Sequence, residues 1–172
     1  AVAFSGYGVY SGFTQGGRNA SDVISKHYHK AALIPQREHL WDFTQTENDL
    51  VVINLGTNDA SYCGKSYTGR QRFTEAYVEF LKTVRVNNPR AYILCVLGDM
   101  NNSLYTSIED AVSIYSNETW DSYIDAKTLT FDMGNTDIVV DGHPGELANK
   151  RAAADLIEII KELIVSRKIS TD

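Results

Sequence analysis

Leu50-Val51-Val52-Ile53-Asn54-Leu55 is the stretch that most narrows what this chain can become. It is short, rich in β-branched residues, bounded by Gly56, and it does not alternate with polar residues. A strand that must hide both faces reads this way, and such strands belong to parallel sheets covered by helices on both sides. Ala91 to Leu97 repeats the pattern (Ala91-Tyr92-Ile93-Leu94-Cys95-Val96-Leu97). Between the two runs, Phe73, Tyr77, Phe80, Leu81 and Val84 recur at helical spacing over Gly69–Val86, and Asn87-Asn88-Pro89 stops that helix.

The remaining elements follow the same alternation. Val2–Ser5 reads as a strand entering a Gly-rich loop over residues 6–20. Ser21 and Asp22 can cap a helix running toward Leu33. Ser103 opens a helix with Leu104, Ile108, Ala111, Val112 and Tyr115 on one face, Thr128–Phe131 reads as a weaker strand, and Pro144 begins a last helix to about Arg167. Strand and helix alternate, so right-handed crossovers and an α/β sheet are expected. With 172 residues, 43% of them hydrophobic and 22% charged, the chain is expected to form one domain with a real core.

Charge limits the partners. Sixteen Lys and Arg stand against twenty-two Asp and Glu, a net charge of −6, which gives no basic footprint for nucleic acid. No apolar run reaches the roughly 18 residues of a membrane span. Cys95 lies inside an apolar run and reads as a buried thiol, Cys63 follows a turn, and two cysteines make no disulfide scaffold. Gly16-Gly17-Arg18 lacks a phosphate-loop lysine, and His27 and His29 point apart on a helix, so no cofactor and no metal is implied. The opening Ala1-Val2-Ala3-Phe4 has neither Met nor a basic leader and reads as a processed or cut start.

In an open parallel sheet, ligands bind outside the carboxyl ends of the strands. Three polar stretches fall there. Asp141-Gly142-His143 can provide a base and the carboxylate that orients it, or can be a solvated loop or a helix cap. Gly56-Thr57-Asn58-Asp59 can present a side-chain amide to an oxyanion, or can be an Asx turn. Ser5-Gly6-Tyr7-Gly8 can expose a backbone N–H, or can be a plain turn.

Taken in this order, the three stretches resemble the SGNH (GDSL-like) hydrolases. Ser5-Gly6 is similar to their glycine block, Gly56-Thr57-Asn58-Asp59 to their asparagine block and Asp141-Gly142-His143-Pro144 to their histidine block. Phe4–Val9, Val51–Asp59 and Leu94–Met100 look closer still to carbohydrate esterase family 2. The resemblance implies a three-layer α/β/α, flavodoxin-like fold with a mostly parallel sheet over residues 1–172. It implies His143 as base and acid, Asp141 as its orienting partner, and Gly6 N–H with the Asn58 side chain as oxyanion hole. The implied reaction is serine-dependent removal of O-acetyl groups from carbohydrates by a secreted enzyme.

One block is absent. No Gly-Asp-Ser occurs, and Gly98-Asp99-Met100 carries no serine. The family's nucleophile strand and helix precede its glycine block, so the chain is expected to lack its first strand and helix, with the serine upstream of Ala1. Ser5 is a substitute nucleophile, and Ser11 and Ser61 are further candidates. A sheet short of an inner strand is expected to self-associate or to need the missing segment. The alternative reading is a catalytically inactive carbohydrate-binding or remnant domain of the same fold. Ten tyrosines with Trp41 and Trp120 supply aromatics that can stack on sugars, although most read as packing. A flavodoxin-like signalling domain is disfavoured, because no phosphate loop or acidic pocket follows the strands.

Overall fold

In a computed structural model of the chain, the described residues are 5–31, 39–98, 100–130, 142–166 and 169. Three strands form a parallel sheet in the order β1 (Leu50–Asn54), β2 (Tyr92–Leu97), β3 (Ile124–Thr128). Ile53 pairs with Cys95, and Cys95 with Ala126. Parallel neighbours need crossovers. Here α1 (Ala60–Cys63) and α2 (Tyr67–Asn87) join β1 to β2, and α3 (Tyr105–Thr119) joins β2 to β3. Helix α4 (Glu146–Val165) closes the fold.

Side-chain alternation on β2 makes the layers. Ile93, Cys95 and Leu97 join the core built with Phe73, Tyr77 and Leu81 of α2 and with Ile108 and Ala111 of α3. Tyr92, Leu94 and Val96 face the other way and pack with Leu156, Ile159 and Leu163 of α4. All six strand residues are buried, which is why this run carries no polar residue. Ser66 starts α2 by accepting the Gly69 N–H at 3.0 Å. Asn88 ends it, with Nδ2 donating to the Val84 carbonyl and to the Tyr28 hydroxyl.

Several expectations shift. A helix from Ser21 toward Leu33 does not form over the described residues: only a single 3₁₀ turn, Ile24–Lys26, appears. The backbone there is committed sideways instead. Gly8 bridges Val23, and the Ile24 N–H donates to the Gly8 carbonyl at 2.9 Å. The third strand lies at Ile124–Thr128 rather than Thr128–Phe131. Ile124 and Ala126 are buried, while Asp125 and Lys127 alternate with them and pair at 3.2 Å, so no apolar run announces it. The short α1 was not expected. The strand read over Val2–Ser5 and the apolar step Ile138–Val140 fall outside the described residues, except for Ser5, which lies in a turn.

β1 is less buried than its composition predicts. Leu50, Val52 and Asn54 share the face that α4 covers on β2, yet Val52 is 38% exposed and Asn54 is exposed. Among the described residues, no strand pairs with the outer edge of β1. A cleft of about 500 Å³ runs along that edge, with every residue from Leu50 to Leu55 on one wall and Ile24, Tyr28 and Trp41 on others.

Candidate active site

Gly56 to Asp59 leave the carboxyl end of β1 and meet the loop that begins at Gly6. The asparagine and glycine stretches are stitched together atom by atom. Asn58 Nδ2 donates to the Tyr7 carbonyl at 2.8 Å. That bond uses one of the two amide hydrogens and fixes the amide plane, and the second remains for another acceptor. Asp59 Oδ1 accepts the backbone N–H groups of Tyr10 and Ser11 at 2.7 and 2.9 Å, and Oδ2 accepts that of Val9 at 2.9 Å. Three successive N–H groups aimed at one carboxylate make a nest. Asp59 is fully buried. Burial pushes its carboxyl above the usual range, while the N–H bonds from Ser11, Val9 and Tyr10 pull it back down.

Two glycines allow this approach. Gly6 has φ of +79°, a backbone region that side-chain-bearing residues rarely adopt. A Cβ on Gly8 would stand 2.0 Å from the Ser11 carbonyl oxygen and 2.6 Å from the Asp59 carboxylate. The Phe13 N–H then returns to the Gly6 carbonyl at 2.8 Å, and the Tyr7 ring rests edge-on against His27 at 5.2 Å.

The serines divide. Ser61 Oγ donates to the Asn58 carbonyl at 2.7 Å and accepts the Thr14 N–H at 3.0 Å. Ser11 Oγ, buried, donates to the Gly12 carbonyl and accepts the Asn19 N–H. Both hydroxyls brace the loop. Ser5 is exposed in the turn before Gly6. The two thiols are buried, and burial pushes each up to about 12, which removes thiolate chemistry at neutral pH.

His143 is exposed and follows Gly142, whose φ is +76°. Its place follows from α4. The C-terminal half of that helix packs on β2, and Asp155 Oδ2 accepts the Thr130 N–H just past β3 at 2.7 Å. The nine residues from Asp155 back to Glu146 span about 13 Å at helical rise. His143 therefore lies just ahead of the amino end of α4, three residues before Glu146. Asp141 lies outside the described residues. Among the described residues there is no cluster of metal-ligating side chains, and no helix is long and apolar enough to cross a membrane.

The sequence pointed to Asn58 and Gly6 but not to the partners that fix them. The Tyr7 carbonyl and the Val9–Ser11 amides are backbone atoms, and no residue type signals them. Gly8 was the available cue, as a second glycine in a loop that has to pass close to a carboxylate.

Comparison with known proteins gives the family and the fold. Residues 2–156 match the model of the GDSL-like lipase/acylhydrolase family. Cellulase/esterase CelE of Acetivibrio thermocellus is 33% identical over 99 residues, 58% of this chain and 11% of that protein. Solved structures are similar as well, among them two esterases. The acetyl xylan esterase Est2A of Butyrivibrio proteoclasticus superposes with a TM-score of 0.84 at 18% identity, covering 92% of this chain and 49% of that one. A family two carbohydrate esterase from Clostridium thermocellum, in complex with cellohexaose, superposes at 0.77 with 27% identity, covering 92% and 48%. The chain thus spans about half the length of these structural relatives. Its parallel α/β sheet and the match over residues 2–156 place it in the GDSL-like lipase/acylhydrolase family.

Proposed function

We propose that residues 1–172 form a single domain carrying the base and oxyanion-hole half of a secreted serine esterase that removes O-acetyl groups from carbohydrates. The observation that carries this reading is the bond from Asn58 Nδ2 to the Tyr7 carbonyl, beside the Asp59 nest. These contacts hold a backbone N–H at Gly6 and a side-chain amide at Asn58 in one rigid unit, which is what a developing oxyanion needs. The relatives named as acetyl xylan esterase and carbohydrate esterase favour an acetylated sugar as substrate.

In this mechanism a serine Oγ attacks the acetyl carbonyl carbon while His143, oriented by Asp141, takes the hydroxyl proton. The carbonyl oxygen becomes an oxyanion held by the Gly6 N–H and the free Asn58 N–H. Collapse breaks the bond to the sugar oxygen, which leaves with the proton from His143. Water, deprotonated by the same imidazole, then cleaves the acetyl-serine and releases acetate. No metal or other cofactor takes part.

The serine comes from a segment outside residues 1–172, with Ser5 as the substitute within them. The cleft along β1 is the seat for that segment, since it opens the whole length of an edge whose backbone groups lack a strand among the described residues. A second reading is a glycan-binding domain without activity. The bracing roles of Ser11 and Ser61 favour it, because they leave those hydroxyls committed.

Hydrolysis of p-nitrophenyl acetate tests the choice. The 172-residue chain is expected to be inactive, and a longer polypeptide that includes the upstream segment active. His143→Ala in that polypeptide should cost at least about 10³-fold in kcat. Activity of the short chain that is lost with Ser5→Ala would move the nucleophile to Ser5. An inactive longer polypeptide would leave the binding reading.

A further inference from the structure

A groove of about 690 Å³ opens at the end of the sheet opposite Asn58. Pro89 and Arg90 of its wall lead into β2, and Asp121 and Tyr123 lead into β3. The strands are parallel, so these residues flank amino ends, whereas Asn58 follows the carboxyl end of β1. About 16 Å of strand lies between, at roughly 3.3 Å per residue. Val86 near the end of α2 and Thr119 at the end of α3 also line the groove, and its volume is that of a small-ligand site.

One wall is a rigid turn that holds aromatic rings in water. Trp120 ends α3 with φ of +59°, a left-handed conformation that bulky residues rarely adopt, and it is 92% exposed. Glycine there would end the helix at lower cost, and the indole gains no burial in exchange. Trp120 is flanked by Thr119 and Asp121, which both line the groove. Tyr123 lines it too and is 54% exposed. Its N–H donates to Asp121 Oδ1 at 2.9 Å, and its carbonyl accepts from the Ile93 N–H at 2.9 Å and from Arg85 Nη2 at 3.1 Å. Single exposed aromatics are ordinary. A strained, exposed indole and a braced, exposed phenol in one four-residue turn point instead to a ligand.

Charge selects that ligand. Lys82, Arg85 and Arg90 line the groove, and each is already met by an acid. Arg85 Nε bonds Asp121 at 2.7 Å, Lys82 Nζ bonds Glu79 and Glu118 at 2.9 and 3.1 Å, and Arg90 pairs with Glu47. A charged ligand has to break these pairs, whereas a neutral one with hydroxyls can bond to their remaining donors and lone pairs. We propose that the groove is a second binding site, for a neutral glycan chain, whose sugar rings stack on Tyr123 and on Trp120 at the rim. A pyranose meets both demands, with an apolar C–H face for an aromatic ring and hydroxyls for the paired charges. Naming a glycan rests on the carbohydrate-esterase reading of the distant site. A polymer held here raises the effective concentration of its acetyl groups at that site.

Titration of the 172-residue chain with cellohexaose and with xylohexaose, followed by ¹⁵N NMR, tests it. The Trp120 indole N–H and the Tyr123 amide are expected to shift saturably with at least one hexaose. Trp120→Gly removes the ring and relieves the backbone. It should weaken saturation at the Tyr123 amide about tenfold while Tm stays level or rises. Unchanged affinity in Trp120→Gly would overturn the proposal. So would shifts confined to Gly6–Ser11 and Asn58, which put the sugar only at the other end of the sheet, or no shift with either hexaose. A dimer that Trp120→Gly turns into a monomer, with no hexaose bound, would assign the turn to contact between copies instead. The esterase reading fails separately. Hydrolysis of p-nitrophenyl acetate involves no sugar, so an inactive longer polypeptide beside Trp120-dependent binding would remove that reading alone.

Discussion

The Asp59 carboxylate accepts the backbone N–H of Tyr10 at 2.7 Å across 49 positions of sequence. With the bonds from Val9 and Ser11, this contact makes the loop after Gly6 and the loop after β1 a single unit. A nest needs an acceptor at both carboxylate oxygens. Asp59→Asn keeps the shape but must place an NH₂ group against one of the N–H donors. The expected loss is about 1–3 kcal/mol, the usual cost of a buried donor left unsatisfied. Urea denaturation measures the loss, and amide exchange at Val9, Tyr10 and Ser11 should quicken more than exchange in β2. Uniform quickening across the chain would sink the idea that Asp59 acts on this loop.

Asp121 offers a pH signature. It bonds Arg85 Nε at 2.7 Å, the Tyr115 hydroxyl at 2.9 Å and, through its other oxygen, the Tyr123 N–H at 2.9 Å. Burial, the largest single influence, raises its carboxyl, but the Tyr123 N–H, the Tyr115 hydroxyl and Arg85 together outweigh it and hold the group below the usual range. A lowered carboxyl contributes stability above its unfolded value, near pH 3.9, and loses it as pH falls through the lower folded value. Asp121→Asn is therefore expected to cost about 2 kcal/mol at pH 7. The gap to the unaltered chain should shrink as pH falls below about 4. A cost that stays the same at pH 7 and pH 3 would show that charge is not what Asp121 contributes.

The outer edge of β1, unpaired among the described residues, separates folding from function. Val52 is partly exposed there and lines the cleft. Val52→Asp is expected to cost the 172-residue chain about 1 kcal/mol, because Asp is a poor strand former and Val52 is more than half covered. In the longer polypeptide, the same change should lower stability and ester hydrolysis together, because the charge would then be buried against an added strand. A longer polypeptide that tolerates it would place the upstream segment elsewhere.

The sequence by itself determined the elements whose signal is local. Leu50–Leu55 and Ala91–Leu97 announced strands because burial demands apolar, β-branched residues, and Phe73–Val84 announced α2 by its period. It also marked Asn58 and Asp59 as polar residues just past a strand, and the structure sets them beyond the end of β1. Tertiary structure decided the rest. Whether Val23–Lys30 coiled into a helix depended on Gly8 offering its carbonyl to the Ile24 N–H from sixteen positions away. β3 formed on Ile124–Thr128 because β2 supplied a register, although Asp125 and Lys127 broke the apolar pattern. Only the folded chain brought Asp59 to the Val9–Ser11 amides. Composition fixes which residues leave water, but a backbone N–H looks the same at every position, and its partner is chosen by packing in three dimensions.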